Sequence, residues 1–242
     1  MPQDDGCVIV IGGAGGVGKA LIERLGTDRT VVVASRNPSS HEGITAESVE
    51  CDAREISAVD RLLEDARAKY GTVSGLVNLA GSILLKPAHL VSEEEWDETI
   101  ATNLTTAFAT VRAAGRHMKD GGSVVLVSTV AAGTGLPNHE AIAAAKSGIE
   151  GLARSAAATY AGRGLRFNVV APGLVDTPLA SRITSSERTL EHSRKMHPLG
   201  RIGVPGDVAE AINFLLGQQS DWITGQVLGI DGGLGATRAG AV

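Results

Sequence analysis

Short runs of Val and Ile alternate with longer amphipathic stretches along the whole chain, and this alternation limits the folds open to it more than any other feature. Cys7–Ile11, Thr30–Ala34, Glu47–Glu50, Gly75–Asn78, Ser123–Ser128, Leu165–Val170 and Gln226–Ile230 read as strands, bounded by Gly, Asn or Asp. Several are apolar almost throughout, as strands covered on both faces must be. Between them, Gly16–Leu25, Glu55–Lys69, Glu93–Met118, Asn138–Ala161 and Gly206–Leu216 carry the i, i+3, i+4 spacing of helices. A β-α order repeated from end to end demands a parallel sheet, because each parallel pair needs a crossover, and the crossover helices cover both sheet faces. No internal repeat or linker divides the chain, so residues 1–242 are expected to form a single doubly wound α/β domain.

One segment breaks the rhythm. Asp176–Arg201 is polar and carries Pro178 and Pro198. A stretch of this length between strand and helix is either a working lid or a disordered loop. Its place after a strand's C-terminal end, where such sheets bind ligands, favours a substrate lid at about 176–201.

Composition removes several function classes. With 22 Lys plus Arg against 27 Asp plus Glu and no basic run, no face displaces phosphate counterions, so a nucleic-acid partner is not expected. The 31 Gly beside only two Trp, two Tyr and three Phe imply many tight turns and a core of aliphatic side chains. Cys7 and Cys51 each lie in or beside an apolar run and read as buried free thiols. His41, His89, His117, His139, His192 and His197 form no ligand-spaced cluster with a Cys, so no metal is expected. The start, Met1–Gly6, lacks the positive region of a signal peptide, and no apolar run reaches the roughly 20 residues that span a bilayer. The expectation is a soluble protein of a reducing compartment, most simply the cytoplasm, with no membrane partner and a small-molecule substrate.

Gly12-Gly13-Ala14-Gly15-Gly16-Val17-Gly18 lies between the first strand and the first helix. Glycines there let the backbone turn tightly and let its N–H groups approach a pyrophosphate, while the helix N-terminus favours the anion. The end of the second strand separates the two nicotinamide dinucleotides. An acidic residue would accept from a free ribose hydroxyl and repel a 2′-phosphate; this chain has Ser35 and Arg36. A guanidinium beside a hydroxyl suits a phosphate dianion, so NADP(H) is preferred over NAD(H). The alternative is that Arg36 is a solvated loop charge.

With these features in place, the sequence resembles the short-chain dehydrogenase/reductase family over essentially its whole length. Gly12-x-x-x-Gly16-x-Gly18 is similar to the family's cofactor turn, with Ile11 where Thr is usual. Asp52 and Ala53 resemble the acidic turn that meets the adenine, and Asn78-Leu79-Ala80-Gly81 the family's Asn-Asn-Ala-Gly. Asn103 matches the helix Asn that holds a proton-relay water. Pro172-Gly173-Leu174-Val175-Asp176-Thr177 resembles the segment that fixes the nicotinamide carboxamide. The resemblance implies a Rossmann sheet of seven strands in the order 3-2-1-4-5-6-7. It also implies a homotetramer or homodimer, with Glu93–Met118 and Asn138–Ala161 pairing between subunits.

The catalytic centre departs from that pattern. The family places a Tyr four residues before a Lys, and a Ser thirteen before the Tyr. Here the Lys is Lys146, which the resemblance assigns to the nicotinamide ribose as well as to catalysis; Ile142 stands for the Tyr and Thr129 for the Ser. Thr supplies the same hydroxyl, and Ser128 beside it is a second. Ile supplies no proton. Tyr160 lies 14 residues beyond Lys146, about 21 Å along a helix, and Tyr70 ends a different helix. His139 remains, seven residues before Lys146 and on the same helical face. The enoyl-acyl-carrier-protein reductases, a divergent branch of the family, place their Tyr at that spacing, and Pro137-Asn138-His139 resembles their Pro-Asn-Tyr. A neutral imidazole there is expected to donate to a developing oxyanion. Alternatively Asn138 caps the helix and His139 sits idle in its first turn.

Two functions follow from these residues. One is an NADP(H)-dependent oxidoreductase acting on a carbonyl, alcohol or activated enoyl compound. Lys146, Thr129, Asn103, His139 and Ser128 then carry the chemistry, with His139 or a water donating the proton. The other is an NADP(H)-binding sensor or assembly protein that has lost its proton donor.

Overall fold

Successive side chains of β1 (Cys7–Ile11) point to opposite faces, and all five are buried. Cys7, Ile9 and Ile11 join one apolar cluster, while Val8 and Val10 join a second on the other face. A strand buried on both sides sits in the interior of a sheet, and β1 does, between β2 and β4. The computed structural model describes residues 6–26, 29–37 and 46–237. Met1–Asp5 and His41 lie outside the described residues.

The sheet has seven parallel strands. Following β1 are β2 (Thr30–Ser35), β3 (Glu47–Glu50), β4 (Val73–Asn78), β5 (Gly122–Val127), β6 (Leu165–Pro172) and β7 (Val227–Ile230). Their order is β3-β2-β1-β4-β5-β6-β7, as expected. The order in which strands are added proceeds outward on one side from β1 and on the other from β4, so a crevice opens beyond their C-terminal ends, the general binding position of such sheets.

Helices α1 (Gly16–Leu25) and α2 (Ile56–Tyr70) begin two crossovers. The expected helix Glu93–Met118 is instead α3 (Glu93–Ile100), a single π-helical turn over Ala101–Thr105, and α4 (Thr106–His117). Side-chain donors explain the slip in register. The Asn103 amide donates to the Thr99 carbonyl at 2.9 Å. The Thr106 hydroxyl lies 3.0 Å from the carbonyls of both Thr102 and Asn103. Both compete with the backbone ladder. Next comes α5 (Glu140–Tyr160), which starts later than its periodicity predicts. Asn138 takes φ 65° and does not cap it; the N-cap is His139.

The segment 176–201 is ordered into helix rather than loop: a 3-10 turn at Pro178–Ala180, then α6 (Ser181–Thr184) and α7 (Glu187–Met196). Periodicity missed α7 because it has no apolar stripe. End effects hold it instead. Ser186 accepts from the Thr189 N–H at 3.4 Å, Glu187 lies in the first turn, and Arg194 and Lys195 lie in the last. The last helix is α8 (Pro205–Leu216), which packs with α1 on one sheet face, while α2, α4 and α5 cover the other. No helix among the described residues is long and apolar enough to cross a membrane.

Close packing of α1 on the sheet depends on absent side chains. A Cβ on Gly18 would stand 2.2 Å from the Gly13 carbonyl oxygen. Gly18→Ala is expected to cost about 3 kcal/mol through overpacking, lowering the Tm by roughly 6–12 °C. Gly151→Ala, on α5 with nothing within 4 Å, is expected to raise the Tm slightly. Thermal melts of the two variants check both signs; equal behaviour would exclude this packing argument.

Candidate active site

The turn between β1 and α1 forms a backbone cradle. Gly12 takes φ +77°, a conformation that L side chains rarely adopt, and a Cβ there would lie 2.8 Å from the Ala80 nitrogen. Gly15 caps α1 without a side chain, leaving the first-turn N–H groups to the crevice. A Cβ on Gly16 would lie 3.1 Å from the Thr177 methyl. Ala14 stands half-buried on the same turn.

At the ends of β2 and β3 lie Ser35, Arg36, Asp52 and Ala53. The Ser35 hydroxyl donates to the Asn37 carbonyl at 3.0 Å, and Arg36 is exposed. Both Asp52 oxygens are forked by Arg54, at 2.6–3.1 Å, and Arg54 continues to Glu98 at 3.2 Å. The Arg54 hydrogen bonds chiefly, and the Arg36 charge to a lesser degree, hold the Asp52 carboxyl below its ordinary range. Arg54 was not among the residues singled out from the sequence. Only the fold reveals that it spans from the β3 turn to α3.

Beyond β4, the buried Asn78 side chain accepts from the Ala80 N–H at 2.9 Å and shapes the turn. A Cβ on Gly81 would be crowded, lying 3.3 Å from Lys146 Nζ and 3.0 Å from Asn103 Oδ1. Asn103 itself is fully buried. Its side chain accepts from the Ser82 N–H at 3.2 Å and donates to the Ser82 hydroxyl at 3.0 Å, fixing the segment after Gly81.

A cavity of about 550 Å3 opens at the C-terminal ends of β4, β5 and β6. It brings together Thr129, His139, Ile142 and Lys146 with Gly12, Gly15, Gly16 and Val17 of the cradle. Pro172, Gly173, Val175 and Thr177 line it from the strand β6 side. Asn103, Ser35, Arg36, Asp52 and Ala53 lie outside its wall. Among the described residues no Asp, Glu or Arg lines it, and their titratable side chains in its wall are Lys146 and three imidazoles, His139, His192 and His197. The last two lie on α7 and just past it, and sequence reasoning assigned them no role. The Ser186 cap was the available signal for their helix.

Side-chain hydrogen bonds separate the candidates. The Thr129 hydroxyl is held loosely, 3.4 Å from the Pro172 carbonyl. Ser128 is different: its hydroxyl donates to Glu150 at 2.8 Å and lies 3.3 Å from the Lys146 carbonyl, committing it to α5. His139 Nδ1 lies 2.8 Å from the Pro137 carbonyl, which can only accept, so Nδ1 carries the proton. In the neutral ring Nε2 is then bare and can only accept. The expectation of a neutral His139 donating into the cavity is corrected accordingly: from Nε2, donation requires the imidazolium. Ile142 is buried and makes the Lys-minus-four position apolar. Neither tyrosine reaches the cavity. Tyr70 bonds Glu47, and the Tyr160 ring packs on Phe167 with its hydroxyl against Gly115.

Lys146 is 7% exposed and donates to the Val127 carbonyl at 2.9 Å. Burial lowers its pKa from 10.5 to about 8. Below pH 8 both folded and unfolded chains carry the proton, and the folded state bears the whole desolvation cost. Between 8 and 10.5 the unfolded chain binds more protons, so stability rises with pH. Lys146→Met is expected to gain about 2 kcal/mol at pH 7 after allowing for the lost hydrogen bond, and to lose that rise. Denaturant titrations at pH 7, 9 and 10 check it; an unchanged pH slope would contradict a buried ammonium.

Comparison with known proteins accords with this architecture. The sequence profile of the family described as Enoyl-(acyl carrier protein) reductase matches residues 15–235. The 3-oxoacyl-(acyl-carrier-protein) reductase MabA of Mycobacterium tuberculosis is 34% identical over 233 residues, covering 94% of this chain and 92% of its own. Ligand-free aldohexose dehydrogenase of Thermoplasma acidophilum superposes with a TM-score of 0.89 at 30% identity, over 99% of this chain and 98% of its own. A variant of actinorhodin polyketide ketoreductase with NADPH gives 0.88 at 27%, over 97% and 99%.

Proposed function

This chain belongs to the short-chain dehydrogenase/reductase family, and from that premise we propose that it is an NADP(H)-dependent oxidoreductase acting on a small carbonyl or alcohol, or on an activated enoyl compound. One observation carries the proposal. A single cavity joins the glycine cradle to Thr129, Lys146 and His139, while Ile142 fills the place of the usual acid.

The residues present fit the dinucleotide. A Cβ on Gly12 would collide with the backbone of Leu79 and Ala80 and one on Gly16 would crowd the Thr177 methyl, so the turn where a pyrophosphate would approach is bare backbone, and the α1 N-terminus has no competing side-chain cap. The cradle Gly12–Val17 would hold the pyrophosphate, and Ser35 and Arg36 the 2′-phosphate. Asp52, Ala53, Asn78, Ala80 and Gly81 would flank the adenosine. Lys146 would bond the nicotinamide ribose, and Pro172, Gly173, Val175 and Thr177 its carboxamide side. When bound, the nicotinamide carries the hydride.

The chain's own residues then orient the substrate and handle the proton. Thr129 bonds the substrate oxygen, and the Lys146 ammonium adds positive potential where negative charge develops. Reduction takes its proton from the His139 imidazolium; in oxidation the bare Nε2 of the neutral ring accepts one. Asn103 holds Ser82 and, through it, the turn beside Lys146, and it would also hold a proton-relay water. Ser128 positions the strand end through Glu150. The segment 176–201 covers the cavity as the lid, and subunits pair across α4 and α5, where Phe108 stands exposed.

NADPH oxidation across a panel of carbonyl and enoyl compounds tests the reading. His139→Gln is expected to lower kcat at least about 100-fold with KM for NADPH unchanged. Arg36→Ala is expected to weaken NADPH at least about 10-fold and leave NADH unchanged. Buried Ile142 favours the second reading, a cofactor-binding protein without turnover. An inactive wild type that gains activity as Ile142→Tyr would establish that reading instead.

A further inference from the structure

His197 follows the last turn of α7 and is 3% exposed, yet both its ring nitrogens are engaged. Nδ1 lies 2.6 Å from the Ser193 carbonyl, and Nε2 lies 3.3 Å from the Leu174 nitrogen. Each partner allows one role. A backbone N–H only donates, so Nε2 is bare; a carbonyl only accepts, so Nδ1 carries the proton. One neutral tautomer therefore satisfies both, and the ring ties α7 to the backbone that leaves β6.

Its surroundings hold it there. A Cβ on Gly173 would lie 2.5 Å from Nε2, so the ring lies flush against the main chain at that point. Gly173 is anchored in turn by its N–H to the Ile230 carbonyl at 3.1 Å. On the other side, a Cβ on Gly232 would lie 3.5 Å from the His197 Cβ, and Leu199 donates to the Gly232 carbonyl at 3.1 Å. Three separate stretches thus meet at one imidazole: the α7 end, the segment after β6 and the turn after β7.

Two of those stretches face the cavity. Helix α7 contributes Thr189, His192 and Met196 to its wall, and the segment after β6 contributes Gly173 and Val175. We propose that His197 is a positioning residue that couples the lid helix to the segment after β6, which would hold the carboxamide side of the nicotinamide, so that cofactor binding steadies α7 and loss of the ring weakens both. The inference rests on the cofactor reading above.

Asn and Gln separate the two links. Asn puts its amide near the Nδ1 position and stops short of Leu174, whereas Gln reaches the Nε2 position and offers its oxygen to that N–H. NADPH affinity is read by fluorescence titration, and hydrogen exchange of residues 187–196 is read with and without NADPH. In wild type and His197→Gln, NADPH is expected to slow exchange of α7. In His197→Asn the Kd is expected to rise about 5- to 10-fold, with α7 exchange no longer responsive to NADPH. His197→Leu fills the ring's volume with neither polar link, and carries the same comparison if the Asn variant fails to fold. An Asn or Leu variant that binds NADPH like wild type overturns the coupling, even if its melting temperature falls. A wild type that does not bind NADPH overturns the cofactor reading itself, and with it the coupling.

Discussion

The site depends on backbone meeting backbone where no Cβ intervenes. Gly18 of α1 stands over Gly13 with 2.2 Å between its absent Cβ and a carbonyl oxygen, and Gly12 stands against Ala80 at 2.8 Å. These contacts draw the α1 N-terminus down onto the sheet beside the loop that follows β4. A larger residue at either place would lift the helix and open the cradle. The same economy recurs at Gly81, where Lys146 Nζ and Asn103 Oδ1 approach the main chain, and at Gly173, where His197 does. Charged and polar side chains reach the site's backbone because glycine leaves it bare.

Against that frame, Lys146 is costly. Its ammonium lies in a wall to which no described carboxylate contributes, bonded to one carbonyl, and burial alone pulls its pKa down to about 8. A purely structural position would have no reason to retain such a charge, since an apolar side chain of equal size would pack there more stably. Positive potential in an apolar cavity is useful where negative charge develops on a substrate oxygen or where a phosphate-bearing ligand lies near.

Ile142 and His139 place the proton problem in view. The apolar side chain closes the position four residues before Lys146, while the imidazole two turns earlier opens onto the same cavity with a bare Nε2 in its neutral form. That tautomer is set by the Pro137 carbonyl, a main-chain group in the turn that Asn138 makes in left-handed conformation. A ring so held is ready to accept a proton and must first gain one before donating. On the proposed reading, oxidation and reduction would draw on different protonation states of this one residue.

Much of this was legible in the chain itself. Strand order, the glycine turn and the identities of Thr129, Lys146 and Ile142 follow from period, spacing and resemblance, since they depend on local conformation and on a pattern shared along the whole length. What folding alone decided involves distant partners. Arg54 reaching Glu98, Ser128 turning to Glu150, and Asn103 gripping Ser82 are pairings between separate segments, and no local signal marks them. Helix α7 escaped because its stability lies in caps and end charges rather than an apolar stripe. His197 read as one unclustered histidine among six; its meaning came from three stretches of chain meeting at its ring. Sequence determined which conformations each segment could hold. Tertiary structure decided which polar atoms would be buried together, because hydrogen-bond partners are chosen by proximity in space and not by distance along the chain.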